Sequence, residues 1–209
     1  MHQNLNFTSL IFRAVIILLL SPFFAQAQSL ELMAGHKRIF ADVQWLKPLD
    51  KDYSWTVFSR TRATVDYDNN TNLFSGAYLN YTRPSGLGIS LVGKIGNAGG
   101  GADAGLHIFK SKPKWMLFGL ASVGLKSELE YSWFSILRFT PAISEKWKLY
   151  SSLELFSLFN KAGHLLSVQR ARLGVDRNNY QFGLALNLSE IGTNFTSNSN
   201  VGGFIRKSF

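Results

Sequence analysis

Two Arg-x-Arg pairs, Arg60-Thr-Arg62 and Arg170-Ala-Arg172, are the side chains best suited to chemistry in this 209-residue chain. A spacing of two places both guanidinium groups of a pair on one face of a β-strand. A guanidinium fork matches the paired oxygens of a carboxylate or a phosphate. Further charges recur at alternate positions: Glu31, Asp42, Asp66, Lys94, Asp103, Lys126, Glu130, Arg138, Lys148, Glu154, Asp176 and Arg206. Such a face suits anion guidance or internal ion pairing better than bond breaking. With no cysteine in the chain, disulfides, thiol catalysis and thiolate metal sites fall away. No His, Asp and Glu cluster has metal-ligand spacing, and no cofactor is expected. The glycines of Asn97-Ala-Gly-Gly-Gly101 form a hairpin tip with no following helix to cradle phosphate. His107, beside Phe109 on one face, is expected to pack rather than to act as a base. No catalytic residue is assigned.

The elements that must position these side chains are strands, because period-2 alternation runs along the chain from residue 28 and no convincing 3.6-residue period occurs. Leu87, Ile89, Leu91 and Ile95 alternate with Gly88, Ser90, Val92 and Lys94; Tyr180, Phe182, Leu184 and Leu186 alternate with Gln181, Gly183, Ala185 and Asn187. Turn residues separate the runs at Pro48–Asp52, Asp68–Thr71, Arg83–Gly86, Asn97–Gly101, Ser111–Lys114, Ser144–Lys146, Asn160–Gly163 and Arg177–Asn179. Eleven strands are clear, at about 37–47, 53–67, 72–82, 87–96, 102–110, 115–126, 129–140, 147–159, 164–176, 180–189 and 200–209. Single-chain barrels use even numbers, so Leu30–Ala34 is taken as the twelfth. The expected fold is all-β, a transmembrane antiparallel up-and-down barrel of twelve strands with short loops, the longest near Glu190–Asn200. Ten or fourteen strands and a soluble β-sandwich are the alternatives. With both termini at one rim, Trp45, Tyr53, Trp55, Tyr81, Trp115, Phe139, Trp147, Tyr180 and Phe209 all fall near that rim and face outward. Such a ring is an aromatic girdle at a membrane interface.

Residues 1–27 read as a secretory signal peptide, with Arg13, the apolar stretch Ala14–Leu20, the break Ser21-Pro22 and the cleavage site Ala25-Gln-Ala27. The domain is then 28–209. Setting Arg13 aside leaves 21 basic residues against 13 acidic ones. They are dispersed through strands rather than gathered in a tail, so anionic lipid head groups or anionic solutes are the expected partners, not nucleic acid. Mean hydropathy is near zero, as alternation requires.

The last nine residues, Val201-Gly-Gly-Phe-Ile-Arg-Lys-Ser-Phe209, place Val201, Gly203, Ile205 and Phe209 on one face. This ending resembles the outer-membrane β-barrel proteins of Gram-negative bacteria, and Arg-Lys-Ser-Phe resembles the Bacteroidetes version. Lys207 departs from the pattern, which usually has an apolar residue there. The resemblance implies residence in the bacterial outer membrane and a closing strand read by the barrel-assembly machinery.

Inside the barrel, parity places the charges above together with Phe58, Phe74, Phe109, Phe118, Phe134, Phe156 and Phe204. Estimated hairpin registers set Glu154 opposite Arg170, Lys94 diagonal to Asp103 and Arg62 opposite Tyr78. The two Arg-x-Arg tracks on opposing walls resemble those of twelve-stranded oligogalacturonate porins. The outer-membrane phospholipase family, also twelve-stranded, implies a lipid-facing His-x-Ser pair; His36-Lys-Arg38, His107-Ile-Phe109 and His164-Leu-Leu166 all lack the serine. Two functions remain open. One is a narrow passive channel biased towards anions by Arg60, Arg62, Arg170, Arg172 and Arg206. The other is a non-conducting structural or accessory barrel that joins other outer-membrane proteins.

Overall fold

The computed structural model describes residues 28–97, 99–126 and 128–209; the expected signal peptide lies outside them. The chain folds into a closed barrel of twelve antiparallel strands in up-and-down order. They are β1 (Ser29–Gly35), β2 (Arg38–Pro48), β3 (Trp55–Asp66), β4 (Thr71–Thr82), β5 (Leu87–Gly96), β6 (Gly99–Lys112), β7 (Trp115–Gly124), β8 (Glu130–Phe139), β9 (Lys148–Asn160), β10 (Gly163–Arg177), β11 (Tyr180–Ile191) and β12 (Thr196–Ser208). Each strand pairs with its sequence neighbours, and β1 closes against β12 from Ser29↔Ser208 to Gly35↔Gly202. Closure leaves no sheet edge unpaired. Because the count is even, both ends of the described chain share one rim, the terminal rim, and the opposite one is the far rim.

Local chemistry sets the turns. Asn178 and Asn179 take φ of 53° and 64°, the left-handed pair that a two-residue hairpin needs, so Arg177 pairs with Tyr180. Asp66 Oδ1 accepts the backbone N–H of Asp68 and Asn70, at 3.1 and 2.8 Å, and tightens the β3–β4 turn. Several boundaries differ from expectation: β6 starts at Gly99, within the turn expected at Asn97–Gly101, because Gly99 and Gly100 pair with Gly96 and Ile95. Tyr53, at φ 57°, belongs to the turn, and β3 starts at Trp55. The loop expected at Glu190–Asn200 is largely ladder, with Ile191 paired to Thr196; Gly192 at φ 70° and Phe195 at φ 50° make the reversal short.

Outward positions carry exposed large apolar residues on almost every strand, including Leu91, Leu106, Leu137, Leu184 and Val201. A continuous apolar outer wall needs lipid to cover it. A larger concavity, about 700 Å³, lies against β3–β8 between Trp55, Tyr81 and Tyr131, and is mainly apolar. The core is the barrel interior.

Closure depends on small inward side chains where β1 and β12 meet. A Cβ at Gly202 would collide with Ala34 O and Gly35 Cα, whereas one at Gly93 meets open space. Gly202→Val should therefore lose the compact, heat-modifiable gel form of the refolded barrel, by roughly the 1–3 kcal/mol of an overpacked site. Gly93→Val should retain it.

Candidate functional site

Inward side chains divide the lumen into an ionic part, built by β1, β2, β3, β9, β10 and β12, and an aromatic part, built mainly by β4, β5, β7 and β8. In the ionic part the β3 guanidinium of Arg60 faces the β2 carboxylate of Asp42, with Nε to Oδ1 at 2.8 Å and Nη2 to Oδ2 at 2.5 Å. Glu154 on β9 then receives three guanidinium groups: Arg60 at 2.6 Å, Arg62 at 2.5 Å and Arg170 at 2.6 Å. Asp42 and Arg60 are only 1% and 4% exposed. Such burial is tolerable because every carboxylate oxygen of the cluster has a cation beside it. Next to this cluster, Arg172 donates through Nε to Glu31 at 2.8 Å, and its Nη1 reaches Asn187 Oδ1 at 2.9 Å. Arg206 donates to Ser29 and Gln44, at 2.7 and 3.2 Å, with Glu31 at 3.8 Å. Arg170 and Arg172 also lie over the Phe40 ring, and Arg172 over Phe204, which shields the guanidinium faces.

The aromatic part packs Tyr78, Val92, Leu120, Phe134 and Ile136, with Phe58, Phe118 and Phe156 against them. Beside it runs a hydrogen-bond chain. His107 Nδ1 is 2.8 Å from Ser90 Oγ, which donates to Asn80 at 2.7 Å, and His107 Nε2 is 2.9 Å from Thr82 Oγ1. Both ring nitrogens are engaged, in keeping with a packing role. Lys94 donates to Asp103 at 2.6 Å, from the diagonal position expected. Arg138 sits apart from the network: its Nε is buried without a partner among the described residues, as is the hydroxyl of nearby Tyr150. The space left between Glu31, Gln44, Arg60, Arg138, Arg170 and Arg206 is a void of about 20 Å³. No group of three or more His, Asp or Glu among the described residues is arranged to hold a metal.

Two expectations need correction. Arg62 pairs with Phe74, and Tyr78 with Phe58; the Asp66-capped reversal comes earlier in the chain, at residues 67–70, and slides β4 along β3. The two arginine tracks are not separate walls, since Glu154 ties Arg60 and Arg62 directly to Arg170 across the lumen. The pairing of Glu154 with Arg170 is as expected.

At the terminal rim, Trp45, Trp55, Tyr81, Trp115, Phe139, Tyr180 and Phe209 occupy outward positions in or beside the strand ends, with Tyr53 and Trp147 in adjoining turns. Arg177 lies 5.0 Å from the Trp147 ring centre, and Lys207 Nζ is 3.9 Å from that of Tyr180. Lys207, an anomaly in the sequence pattern, thus rests on an aromatic face and reaches back to the turn at Asn178 O.

One arrangement escaped sequence reasoning. A β-bulge at Leu165 interrupts the register of β10 between His164 and Leu166. It places His164, paired with Phe159, and Ser167, paired with Ser157, on the same outward face. Ser167 Oγ lies 2.8 Å from His164 Nε2 and 2.9 Å from Ser157 Oγ, while His164 Nδ1 is 2.8 Å from Gly192 O. His164-Leu-Leu166 lacks the serine two residues on, and strict alternation would send Ser167 to the opposite face from His164.

No protein-family model and no curated protein matches the sequence. Among solved structures, the chain is similar to the KdgM porin, with a TM-score of 0.52, 9% identity, and coverage of 87% of this chain and 98% of that one. The KdgM porin in complex with disordered oligogalacturonate aligns over the same shares, with a TM-score of 0.51. LpxR from Salmonella typhimurium aligns less well, at a TM-score of 0.44 and 11% identity. At 9% identity the likeness to the KdgM porin establishes a shared barrel fold.

Glu154 should be the least replaceable charge in the lumen. Glu154→Gln leaves three guanidinium groups around a neutral amide, and a broken buried pair costs about 3–5 kcal/mol. Urea unfolding of the detergent-refolded barrel should show a loss of that size. Lys126→Gln, which removes only the looser and more exposed 3.8 Å pair with Glu130, should shift the midpoint little.

Proposed function

We propose that residues 28–209 form a bacterial outer-membrane barrel, exported by a signal peptide cleaved after Ala27, that acts as a narrow passive channel for small solutes with a bias towards anions. The terminal rim faces the periplasm in this reading, and the closing strand β12 is presented to the barrel-assembly machinery. The observation that carries the anion bias is the charge of the waist. Arg60, Arg62, Arg170, Arg172 and Arg206 pair there with Asp42, Glu154 and Glu31, and Arg138 lines the same void without a carboxylate partner among the described residues. Six fixed cations against three carboxylates leave an excess of positive charge in a region with little water. A small anion lowers that excess and can replace one of the guanidinium contacts of Glu154 with its own oxygens. The solved structure of a KdgM porin in complex with disordered oligogalacturonate supports this direction through fold alone.

A void of about 20 Å³ passes no solute, so conduction requires the arginines to swing from their resting partners. The same packing favours a second reading, a non-conducting structural or accessory barrel in a larger outer-membrane assembly. Its support is the packing of the aromatic cluster on one side of the lumen and of the buried ion pairs on the other, with only a small void between the arginines.

Planar-bilayer recording of the purified barrel separates the two. The channel reading expects small conductance steps with a modest anion preference, reduced when Arg60 and Arg170 become Ala. Electrical silence across all salts supports the structural reading and sinks the channel. For export and assembly, deletion of Phe209, whose N–H closes onto Gln28 O at 3.0 Å, should lower the yield of folded barrel several-fold. Release of the mature chain into the periplasm should be unchanged, as measured by fractionation.

A further inference from the structure

We propose that Ser167, His164 and Ser157 form a lipid-facing serine hydrolase site for the carboxylic esters of long-chain acyl groups, independent of what the lumen does. The outward wall is otherwise the part of a barrel that should be apolar, because polar groups facing hydrocarbon are costly. Yet here five polar side chains meet on β9, β10 and β11: Ser157, His164, Ser167, Gln169 and Glu190. Gln169 donates to Glu190 at 3.2 Å, and Glu190 pairs in register with Ser167. Polar groups gathered at such a place call for a functional explanation.

The geometry assigns roles. Gly192 O can only accept a hydrogen bond, so the 2.8 Å contact places the proton of the neutral imidazole on Nδ1. Nε2 is then the acceptor, and Ser167 Oγ, at 2.8 Å, is the donor. A nucleophile bound to a base, whose far nitrogen is held by a third group, is the arrangement that activates serine. Ser157 Oγ, at 2.9 Å from the nucleophile, is the hydroxyl free to turn towards the oxyanion. Phe195 stacks on the imidazole at 4.4 Å and Phe159 meets its edge at 5.5 Å, keeping the base oriented and shielded from water.

Depth selects the substrate. Ser167 lies ten residues up β10 from Arg177, which stacks on Trp147 at the terminal rim. At about 3.3 Å per residue and a tilt near 40°, that is about 25 Å, the height of the apolar band. The serine therefore stands at the far interface, where acyl chains join their head groups. The bulge that creates the pair is the kind of irregularity that re-aims side chains at functional sites.

In the reaction, Ser167 Oγ attacks the ester carbonyl carbon as its proton passes to His164 Nε2. The C–O bond to the alcohol breaks, and the alcohol oxygen takes that proton. Water then attacks the acyl-serine, His164 accepts the water proton and returns it to Ser167 Oγ, and the fatty acid leaves.

The test uses the full-length mature barrel refolded in detergent, with heat-modifiability as the check on folding. A fluorophosphonate probe should label the folded protein, mass spectrometry should map the label to Ser167, and p-nitrophenyl palmitate should be hydrolysed faster than p-nitrophenyl acetate. Ser167→Ala should abolish labelling, and His164→Ala should slow it at least 100-fold. Ser157→Ala should lower the hydrolysis rate about 10–100-fold, and none of the three should alter conductance. Absence of labelling in the folded wild type, a label mapping elsewhere, or faster cleavage of the short ester would overturn the proposal. Because the mapping is done on the wild type, it holds even where a variant fails to fold.

Discussion

Glu154 is the residue on which the interior arrangement depends. Its two carboxylate oxygens hold guanidinium groups from β3 and from β10, elements that are far apart around the barrel. The Arg172–Glu31 pair also joins strands that are not neighbours, β10 and β1; Glu154 reaches farther around the barrel, from β9 to β3. Burying one carboxylate among several arginines costs much of the Coulombic energy it gains. Its effect is therefore specificity more than net stability: only one rotation of β3 relative to β9 and β10 satisfies all three guanidinium forks. Asp42 completes the arrangement by taking the remaining face of Arg60.

Once that cluster is fixed, the rest of the lumen sorts by polarity. The aromatic side packs ring against ring, with the Phe118 and Phe134 centroids 6.0 Å apart. Where polar groups intrude they are satisfied locally, as in the chain from Thr82 through His107 and Ser90 to Asn80. The interior thus resembles a split plug, half ionic and half aromatic. Aromatic packing is insensitive to salt, and the ion pairs opposite it are buried enough to be screened little.

Lipid-facing chemistry arises from a smaller cause. A barrel built on strict alternation keeps polar residues inside, and one extra residue in β10 reverses that assignment beyond it. His164 and Ser167 share a face because Leu165 is the unpaired residue between them. The insertion sits two residues into β10, next to the rim where the ladder ends, and turns His164 to the outer wall beside Ser167.

Alternation of side chains gave eleven strands and the inward assignment of Arg60, Arg138, Glu154 and Arg206, and the even count of single-chain barrels supplied the twelfth, which brings both ends to one rim. Hairpin pairs such as Glu154 with Arg170, and Lys94 diagonal to Asp103, were also legible, because a short turn between two strands leaves few registers. The pairing of Arg62 with Phe74 was not, since the Asp66 carboxylate bonds that tighten the turn leave no periodic trace. Nor was the contact of Arg60 with Glu154, where closure and tilt of the whole barrel decide which distant side chains meet. The His164–Ser167 pair was decided by tertiary structure alone. A bulge is one residue out of phase, and nothing in a local pattern marks it until the neighbouring strands impose their register.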